Sequence, residues 1–483
     1  MSGIGGWARQ NPDATALITP PGQILRFGDL EVRQQKISGL LRQGVAPGDR
    51  IAIHARNRVE VIEVVAAALR CGVVPVPINP LLTEPEVAYI LEDSGAPWLF
   101  TDRPIEHPQL DRVITLGDAF ERCLTEAVAG SLDDHISTRP MHYTSGTTGA
   151  PKGVYAPPLP AAAAAVASDL FKQTWAMEPS DLHLVCSPLA HSAPLRFSLR
   201  SLEAGGAVVV QERFDAEQSL AAIHMYGVTS SFMVPTHLER ILALGRRALS
   251  GYDLSAIRLL AHAGAPIREP VKRRVLELFP PGSVWEFYGS TEGQATRISS
   301  EEWLTHPGSV GQAYPGGSVH VLDDDGREVT GQTVGQVWIR DPAGDRWRYW
   351  GDSAKTDAAW RDDAFTAGDL GWMDADGYLY LVGRVDDTII TGSVNVYPAE
   401  VEAALGAHEG VAAVVVYGAP SEAWGQEVRA RVVPAPGASL TAEALIGWAR
   451  ERLAAFKVPK HIEFVQELPR TPTGKIKRPA FDE

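Results

Sequence analysis

The residues whose types and spacing are best suited to chemistry form a glycine- and hydroxyl-rich segment, YTSGTTGAPKGV, at residues 143–154. Gly146, Gly149 and Gly153 allow the backbone to turn sharply and to approach a ligand closely. Hydroxyl and ammonium groups in the same segment can donate to phosphate oxygens: Thr144, Ser145, Thr147, Thr148 and Lys152. The segment therefore predicts a phosphate-binding loop. It differs from the common nucleotide-binding loop because Lys152 comes three residues after Gly149 and Gly153 follows it.

Composition limits the class of protein that carries this loop. A chain of 483 residues exceeds one hydrophobic core, so we expect at least two domains. The net charge of −15 argues against nucleic-acid binding and against docking on anionic membranes. The chain has 3 cysteines without metal-ligand or disulfide spacing, which favours a reducing compartment. With neither a secretory signal nor a long apolar run, the sequence predicts a cytoplasmic protein without a membrane span.

The elements that must position the loop alternate between short β-branched runs and longer helical ones. The predicted strands lie at residues 51–54, 73–78, 97–101 and 182–187, with a helix at 59–71. This alternation indicates a parallel sheet covered by helices, and hence an α/β architecture. From about residue 309 the pattern changes to period-two alternation broken by Asp-Gly and Thr-Gly turns, which predicts antiparallel β structure.

The pattern of apolar and polar residues changes again after Asp386. Strands are predicted at residues 411–417, 427–433 and 461–464, with a helix at 441–453. This is a small α+β unit of ordinary domain size. We therefore predict a large domain at residues 1–385 and a small C-terminal domain at 386–483.

Four further strings accompany the phosphate loop in order along the chain. They are YGSTEG at 288–293, AGDLGWMDADGYLYLVGRVDD at 367–387, VNVYPAEVE at 394–402 and PRTPTGKIKR at 469–478. Together they resemble the adenylate-forming superfamily of acyl-CoA and aryl-CoA synthetases, luciferases and peptide-synthetase adenylation domains, most closely the free-standing acyl-CoA synthetases. The resemblance covers nearly the whole chain. It implies a large N-terminal domain of helix-covered parallel sheets with a β-rich subdomain, and a small mobile α+β C-terminal domain.

The resemblance also implies a reaction. ATP and Mg²⁺ would activate a hydrophobic carboxylic acid as an acyl- or aryl-adenylate with release of pyrophosphate, and the acyl group would pass to the thiol of CoA. Glu292, in YGSTEG, matches the family's Mg²⁺ ligand, a hard oxygen donor of the kind Mg²⁺ prefers. Thr291 matches the threonine that contacts the α-phosphate, and Tyr288 and Gly289 would lie against the adenine or the acyl group.

Residues nearer the C-terminus match further roles in the family. Asp369 and Arg384 resemble the pair that binds the ribose hydroxyls. Lys475, in PTGKIK, matches the catalytic lysine that bridges the acyl carboxylate and the phosphate, whereas the neighbouring Arg478 is expected to be a surface charge. Asp386 matches the hinge about which the small domain rotates between two working poses.

The segment SPLAHSAP at residues 187–194 corresponds to the gate of the acyl pocket, with His191 at the gate and counted among the catalytic residues. Further residues predicted to line the substrate pocket are Phe232, Met233, Gly264 and Gly289, and AHAGAPI adds Ala263 and Ala265 beside the nucleotide. No aspartate lies between residues 187 and 197 to clamp a substrate amine. An apolar wall favours a hydrophobic acyl or aryl acid over an amino acid or a polyanion.

The acceptor is less well specified than the acid. Many relatives have a Gly-Gly-Glu-Asn run after the hinge, whereas this chain has Gly392, Ser393, Val394 and Asn395. Gly392 and Ser393 would border the channel for the acceptor thiol, where a side chain restricts the backbone. Three alternatives therefore stay open: CoA, the phosphopantetheine of an acyl carrier protein, or another nucleophile that receives the adenylate.

Overall fold

The computed structural model describes residues 3–20, 22–144, 151–341, 346–391, 394–421, 423–470 and 476–479. The first half of the chain alternates helices and strands. Its elements are α1 (Ile4–Gln10), β1 (Thr15–Thr19), β2 (Gln23–Arg26), α2 (Phe27–Leu41), β3 (Arg50–His54), α3 (Val59–Arg70), β4 (Val74–Ile78), α4 (Glu84–Ser94), β5 (Trp98–Thr101), β6 (Arg112–Thr115), α5 (Asp118–Glu126), β7 (His142–Thr144), β8 (Lys152–Tyr155), α6 (Ala161–Thr174), β9 (Leu182–Val185), α7 (Ser192–Glu203), β10 (Ala207–Val210), α8 (Ala216–Tyr226), β11 (Ser230–Met233) and α9 (Pro235–Leu242).

The chain continues with shorter elements and then a run of strands. These are α10 (Arg246–Leu249), β12 (Leu259–His262), α11 (Glu269–Leu278), β13 (Val284–Gly289), β14 (Gln294–Ser299), α12 (Ser300–Thr305), β15 (Gln312–Ala313), β16 (Ser318–Leu322), β17 (Gly335–Arg340), β18 (Arg348–Tyr349), α13 (Ser353–Ala359), β19 (Trp360–Arg361), β20 (Ala364–Phe365), β21 (Asp369–Met373) and β22 (Leu379–Arg384). A short 3-10 helix (Val385–Asp387) precedes the last group: β23 (Ile389–Thr391), β24 (Val394–Val396), α14 (Pro398–Gly406), β25 (Val411–Ser421), β26 (Gly425–Pro434), α15 (Ala442–Arg450) and β27 (His461–Phe464).

Two largely parallel sheets form the first part of the molecule, as predicted. The larger has the order β15-β14-β13-β12-β11-β9-β10-β1-β2, with parallel pairing from β13 through to β1 and antiparallel strands at both edges. The smaller is parallel throughout, in the order β4-β3-β5-β6. Helix α3 lies in the core between layers because its sequence, VEVIEVVAAALR, is apolar on nearly every face. The α/β fold class is confirmed.

The antiparallel region predicted from residue 309 is also present. The order β19-β20-β17-β21-β22 forms a sheet to which β16 adds on β17, and β18, β8 and β7 form a separate antiparallel sheet. Both sheets contribute to one hydrophobic cluster around Trp347 and Phe365. The phosphate-loop strands β7 and β8 are thereby joined through β18 to the segment that leads into β21.

The last part of the chain has its own sheet and its own core. Strands β24-β23-β26-β25, with β27 parallel to β26, form a sheet that shares no strand with the other sheets among the described residues, and α14 and α15 pack on it. The predicted strands and helix of this region are confirmed, whereas β23, β24 and α14 were not anticipated. The division at residue 386 stays a prediction. Across the described residues, no helix is both long enough and apolar enough to span a bilayer.

Candidate active site

The predicted phosphate-binding segment lies between two paired strands. Strand β7 ends at Thr144 and β8 begins at Lys152, and these two residues are directly opposite each other in the antiparallel ladder. The predicted phosphate ligands Ser145, Gly146, Thr147 and Thr148 lie outside the described residues. The two ends of the predicted phosphate-binding segment, Thr144 and Lys152, therefore lie side by side in this sheet.

Lys152 is held at the start of β8 by an acidic partner. Its ammonium Nζ donates to Asp352 Oδ2 at 2.8 Å. Burial opposes the charge on Lys152, but Asp352 raises the pKa of Lys152, while the proximity of Lys152 lowers the pKa of Lys355. Two lysines and one aspartate thus leave a local positive charge beside the loop, which is the sign that a phosphate requires.

Glu292 lies in the turn between β13 and β14, with Thr291 half-buried beside it. The Glu292 side chain is 6% exposed, and its Oε1 accepts a hydrogen bond from the Tyr349 hydroxyl at 2.9 Å. The Ser290 N–H donates to the Gly293 carbonyl at 2.9 Å and closes the turn. A Cβ on Gly289 would lie 2.8 Å from that same carbonyl oxygen, so only glycine fits there. The Ser290 hydroxyl is buried and has no partner among the described residues.

A metal ion is consistent with this arrangement, on two observations. Within the part of the chain that the structure describes, no three His, Cys, Asp or Glu side chains group together as metal ligands. A cation at Glu292 would therefore take most of its ligands from phosphate oxygens and water, as Mg²⁺ commonly does. The second Glu292 carboxylate oxygen makes no hydrogen bond among the described residues, and the nearby Ser290 hydroxyl is buried without a partner among them.

Asp369 connects the two sheets that border the site. It begins β21 opposite Arg384 at the end of β22, and Arg384 Nε donates to Asp369 Oδ1 at 3.0 Å. The Tyr288 hydroxyl, from the end of β13, donates to Asp369 Oδ2 at 2.6 Å. Burial, followed by the Asp369 charge, raises the pKa of Tyr288, so the hydroxyl stays a donor. The structure thus brings together three of the predicted nucleotide-binding residues.

The predicted apolar wall consists largely of aromatic rings, which come from α6, α7, β11 and β13 and from the residues that follow α6 and β15. Phe232 packs with Phe171, Trp175, Phe197, Leu259, Ala261, Ala263 and Tyr314, and the partly buried Phe287, Trp285, Ala193 and Val234 join this group, here called the aromatic cluster. The Phe197 and Phe232 rings are stacked with centroids 6.0 Å apart, and the Phe287 centroid is 5.8 Å from that of Phe232. The rings therefore fill much of the space between α7 and the ends of β11 and β13.

Met233 does not share this wall. It lies in a different cluster, with Leu238 and Ile241, although it follows Phe232 in the same strand. Successive side chains on a strand point to opposite faces of the sheet, so Phe232 and Met233 cannot both face the pocket. The inclusion of Met233 among the pocket residues is corrected accordingly.

The remaining predicted pocket residues follow β12 or precede α7. Gly264 has φ +91°, a conformation that favours glycine, and it lies between the buried Ala263 and the half-buried Ala265. His191 is the N-cap residue of α7, and its Nε2 is 3.5 Å from the Asn79 amide nitrogen. The gate histidine is therefore half-buried between α7 and the end of β4.

The hinge and acceptor residues are only partly described. Asp386 lies in the 3-10 helix between β22 and β23, whereas Lys475, Gly392 and Ser393 lie outside the described residues. Arg478 is not the surface charge that we expected. It is half-buried and donates to Glu402, to the Val416 carbonyl and, at 3.3 Å, to Asp387 next to the hinge.

Three residues of the site carried no signal in the sequence. Tyr349 and Asp352 contact Glu292 and Lys152 from a segment without a recognised motif. Arg139 donates from Nη1 to the Glu292 carbonyl at 3.2 Å. Each contact joins residues that are far apart in the chain, so only the fold reveals them.

Comparison with known proteins places the chain among enzymes. The model of the AMP-binding enzyme family matches residues 6–344, and that of the AMP-binding enzyme C-terminal domain matches residues 400–475. The fatty acid–[acyl-carrier-protein] ligase ScoC of Streptomyces coeruleorubidus is 33% identical, with 97% of this chain and 93% of that protein covered. A feruloyl-CoA synthase of an Amycolatopsis species is 34% identical, over 98% of this chain and 97% of that enzyme.

Solved structures agree with the sequence comparison. The o-succinylbenzoate CoA synthetase MenE of Bacillus subtilis, in complex with its acyl-adenylate intermediate, superposes with a TM-score of 0.87 at 28% identity, over 100% of this chain and 99% of that one. The same enzyme with ATP and magnesium gives a TM-score of 0.86 at 28% identity, over 98% and 97% of the two chains. The chain therefore belongs to the AMP-binding enzyme family, and it is an ATP- and Mg²⁺-dependent ligase that activates a carboxylic acid as its adenylate.

Proposed function

We propose that the protein joins a compact, largely apolar carboxylic acid to the thiol of CoA, by way of an enzyme-bound acyl-adenylate. The observation that carries this proposal is the position of the aromatic cluster. It adjoins the turn that bears Thr291 and Glu292 through Phe287, which belongs to the cluster and lies near the end of β13, the strand that leads into the turn. An acid bound on these rings would present its carboxylate to a phosphate held at that turn.

Residues around the turn would hold the nucleotide. Asp369 and Arg384 would bind the ribose hydroxyls, since the carboxylate already accepts from a hydroxyl, that of Tyr288. Lys152 would neutralise phosphate oxygens together with the loop that precedes it. Mg²⁺, held by Glu292, would supply charge neutralisation on the phosphates. Most of the rate enhancement would then come from orientation and from electrostatic stabilisation.

The two half-reactions follow from ordinary acyl chemistry. A carboxylate oxygen attacks the α-phosphorus, and the bond to the bridging oxygen breaks so that pyrophosphate leaves. Thr291 and, from the small domain, Lys475 would stabilise the charge on the α-phosphate and the carboxylate. In the second step the acceptor sulfur attacks the acyl carbon, its proton is lost, and AMP leaves with the oxygen to which the acyl group was bound.

Rotation of the small domain about Asp386 would separate these steps. The separate hydrophobic core of β23–β27, α14 and α15 supports motion of residues 386–483 as a body relative to residues 1–385. Lys475 would enter the site for adenylation, and Gly392 and Ser393 would enter for transfer. His191, as N-cap of α7, would lie at the gate between the acid and the acceptor.

Several of the relatives ligate CoA to aromatic acids and are named feruloyl-CoA synthase, indoleacetate–CoA ligase and 2-succinylbenzoate–CoA ligase. These acids carry aromatic rings, and the aromatic cluster favours a substrate of this kind because ring–ring contacts add to simple burial. A long straight chain fits less well, since Phe197, Phe232 and Phe287 are already in mutual contact.

Carrier-protein loading is the second candidate. It is favoured by the 33% identity to a fatty acid–[acyl-carrier-protein] ligase and by Ser393 in the predicted acceptor channel. In that case the partner is a protein whose phosphopantetheine arm, rather than free CoA, reaches the site.

One experiment tests the proposal and its alternative together. Acid-dependent exchange of labelled pyrophosphate into ATP would be measured for a panel of aryl and alkyl acids, followed by thioester formation with CoA or with a phosphopantetheinylated carrier protein. We expect exchange with compact aryl acids and thioester formation with CoA. Exchange without any CoA thioester, alongside loading of the carrier protein, would favour the alternative. A folded protein that catalyses no exchange with any acid would contradict the proposal.

A further inference from the structure

A small cavity lies on the inner side of the turn that bears Thr291. It has room for about 50 Å³ and is enclosed by α3, by α7 and by the strand leading into the phosphate loop. The rest of its wall is aliphatic apart from the polar residues that line it, which are Thr138, Arg139, His142, Ser192, Arg196, Arg200 and Thr291. We call it the arginine cavity.

The arginines of this cavity are under-satisfied. Arg139 uses only Nη1, which donates to the Glu292 carbonyl, while its Nε and Nη2 are buried without a partner among the described residues. The half-buried Arg196 makes no hydrogen bond through its guanidinium within the described ranges. Among the described residues, Arg200 alone of these three arginines forms an ion pair, with Glu203. The Thr138 hydroxyl next to Arg139 is also buried and unpartnered.

Such an arrangement is costly without an anion. Burial, and then the proximity of Arg139, lower the pKa of Arg196 to about 10, and the carboxylate of Asp341 offsets this only in part. A guanidinium removed from water needs a charge partner and hydrogen-bond acceptors. Planar donors in a fixed fork match an oxyanion best. The cavity thus offers several unused N–H donors and a hydroxyl to one small, negatively charged group.

The size of the cavity restricts this group. One water molecule needs roughly 10–15 Å³ of such space, so the cavity accommodates about four heavy atoms. A carboxylate and the carbon that carries it fit within this volume. A pyrophosphate, with nine heavy atoms, does not.

The position of the cavity relates it to the acid rather than to the adenine. Thr291 and Ser192 line it, and they are the neighbours of Glu292 and of the gate residue His191. Helix α7 contacts both sites. Ala193 and Phe197, four residues apart, belong to the aromatic cluster. On the adjacent face of the helix, Ser192, Arg196 and Arg200 line the arginine cavity. An acid lying on the cluster would therefore have the arginines beside it, close to its reacting carboxylate.

We propose that the arginine cavity binds a second carboxylate of the acid substrate, a few atoms from the carboxylate that is adenylated. This inference rests on the proposed function and refines it: the body of the acid is apolar and lies on the aromatic rings, and a second acidic group enters the cavity. Arg196 and Arg139 determine the specificity for this group.

Acids paired with their monomethyl esters test the proposal. Each linear dicarboxylic acid of three to six carbons, and each benzoic acid bearing a second carboxyl-containing substituent, would be compared with the ester that removes only the distal charge. Pyrophosphate exchange would give kcat/KM for acid and KM for ATP in the wild type, Arg196→Met and Arg196→Lys. For at least one pair we expect the wild type to prefer the diacid, Arg196→Met to lose at least about 30-fold on the diacid but little on the ester, and Arg196→Lys to recover part of the loss.

The thermal midpoint of unfolding separates this role from a structural one. Arg196→Met removes an unpaired guanidinium, so its midpoint should be unchanged or raised, and added diacid should raise the midpoint of the wild type only. Arg70→Met is the matched contrast because Arg70, on α3, is fully buried but paired with Glu31, and its loss should lower the midpoint without changing the diacid preference.

Several outcomes would overturn the inference. Equal rates for every diacid and its ester would show that the arginine cavity does not bind a second carboxylate. A rise in KM for ATP in Arg196→Met, with the preference among acids unchanged, would assign the cavity to the nucleotide phosphates. Exchange with monocarboxylic acids but with no diacid would refute the subsite and leave the proposed function intact, whereas no exchange with any acid would refute the proposed function itself.

Discussion

Two groups of buried charges in the first part of the molecule are satisfied to very different degrees. Lys272, on α11, is 1% exposed, and its ammonium donates to Glu286 Oε2 at 2.8 Å and to His262 Nε2 at 2.6 Å. We call these three residues the lysine triad; the Trp303 ring lies 5.4 Å from the Lys272 ammonium. In the arginine cavity, by contrast, Arg139 has two nitrogens without acceptors and Arg196 has no hydrogen bond among the described residues.

The difference teaches how to distinguish a structural charge from one kept for a ligand. In the lysine triad, burial and the Lys272 charge lower the pKa of His262 well below its usual value, so the ring is neutral and can accept from the ammonium. Every strong partner of Lys272 is thus internal. The Lys272 charge is therefore balanced inside the protein, even though His262 Nδ1 is buried without a partner among the described residues. A buried charge that is paired internally contributes to folding, whereas the unpaired guanidinium donors beside the reaction centre are the ones that we propose a substrate completes.

The largest effect is expected from breaking the lysine triad. Lys272→Met would leave Glu286 buried without its cation, and we expect the free energy of unfolding in urea to fall by about 3–5 kcal/mol. The double variant Lys272→Met/Glu286→Leu removes both charges and should recover much of that loss. Pyrophosphate exchange per folded molecule should change little. A single variant as stable as the wild type would show that the triad is not a structural unit.

Glu292→Gln should behave in the opposite way. The glutamine keeps the size and can still accept from the Tyr349 hydroxyl, so stability should change by less than about 1 kcal/mol. Loss of the carboxylate should reduce the exchange rate by roughly 10²–10³-fold, the scale of one preorganised electrostatic contact. The initial rate of pyrophosphate exchange would be measured at saturating ATP over a range of Mg²⁺ concentrations. Full activity would exclude Glu292 as the Mg²⁺ ligand.

Sequence reasoning predicted what is periodic or contiguous. The alternation of strands and helices identified the parallel sheets, and the strings around Glu292, Asp369 and Arg384 identified residues that the fold does bring to one place. It failed where contacts are long-range: Tyr349 and Glu292 are 57 residues apart, and nothing near Tyr349 signals the contact. The role of Arg196 was missed for a similar reason. An arginine in a helix is usually exposed, and the partial burial of Arg196 results from tertiary packing that the sequence does not reveal.

Register explains the other misses. Phe232 and Met233 were taken together because both are apolar, but the pleat of β11 sends them to opposite faces. Arg478 was expected at the surface because it lies in a basic stretch, yet Glu402 on α14 and Asp387 near the hinge both bind it. The pairing of charges across elements is a property of topology, which composition does not contain.

A third buried basic group differs from both the lysine triad and the arginine cavity, because it is uncharged in the folded protein. His183, on β9, is 1% exposed, bonds Ser230 Oγ at 3.0 Å, and has its pKa lowered by burial to about 4. The unfolded ring, with a pKa near 6.5, binds a proton more readily than the folded one, so stability is fully present above about pH 6.5 and is lost as the pH falls toward 4.

For His183 alone this loss should reach roughly 2 kcal/mol at pH 5, at about 1.4 kcal/mol for each unit of pKa difference. Urea unfolding at pH 7, 6 and 5 would measure it. His183→Gln can keep a polar contact with Ser230 but cannot titrate, so its stability should fall less steeply than that of the wild type. Parallel curves for the two proteins would show that other groups cause the acid sensitivity.

The smallest expected change in activity comes from a hydrogen bond between two side chains of the site that a bound substrate would replace. The Tyr288 hydroxyl occupies Asp369 Oδ2, an oxygen that the ribose would use, while Arg384 occupies Oδ1. In Tyr288→Phe this competition disappears but the ring is kept, so we expect KM for ATP to fall about two- to fivefold at nearly constant kcat, as one neutral hydrogen bond is worth about 0.5–1.5 kcal/mol. Tyr380→Phe, which removes a 3.3 Å contact with Asp374 in a turn, is the matched control and should change neither constant. A tenfold or larger rise in KM in Tyr288→Phe would instead mean that the hydroxyl binds the nucleotide directly. The Tyr288 hydroxyl would then resemble the unpaired donors of the arginine cavity. It would serve to bind a ligand and would donate to Asp369 only when that ligand is absent.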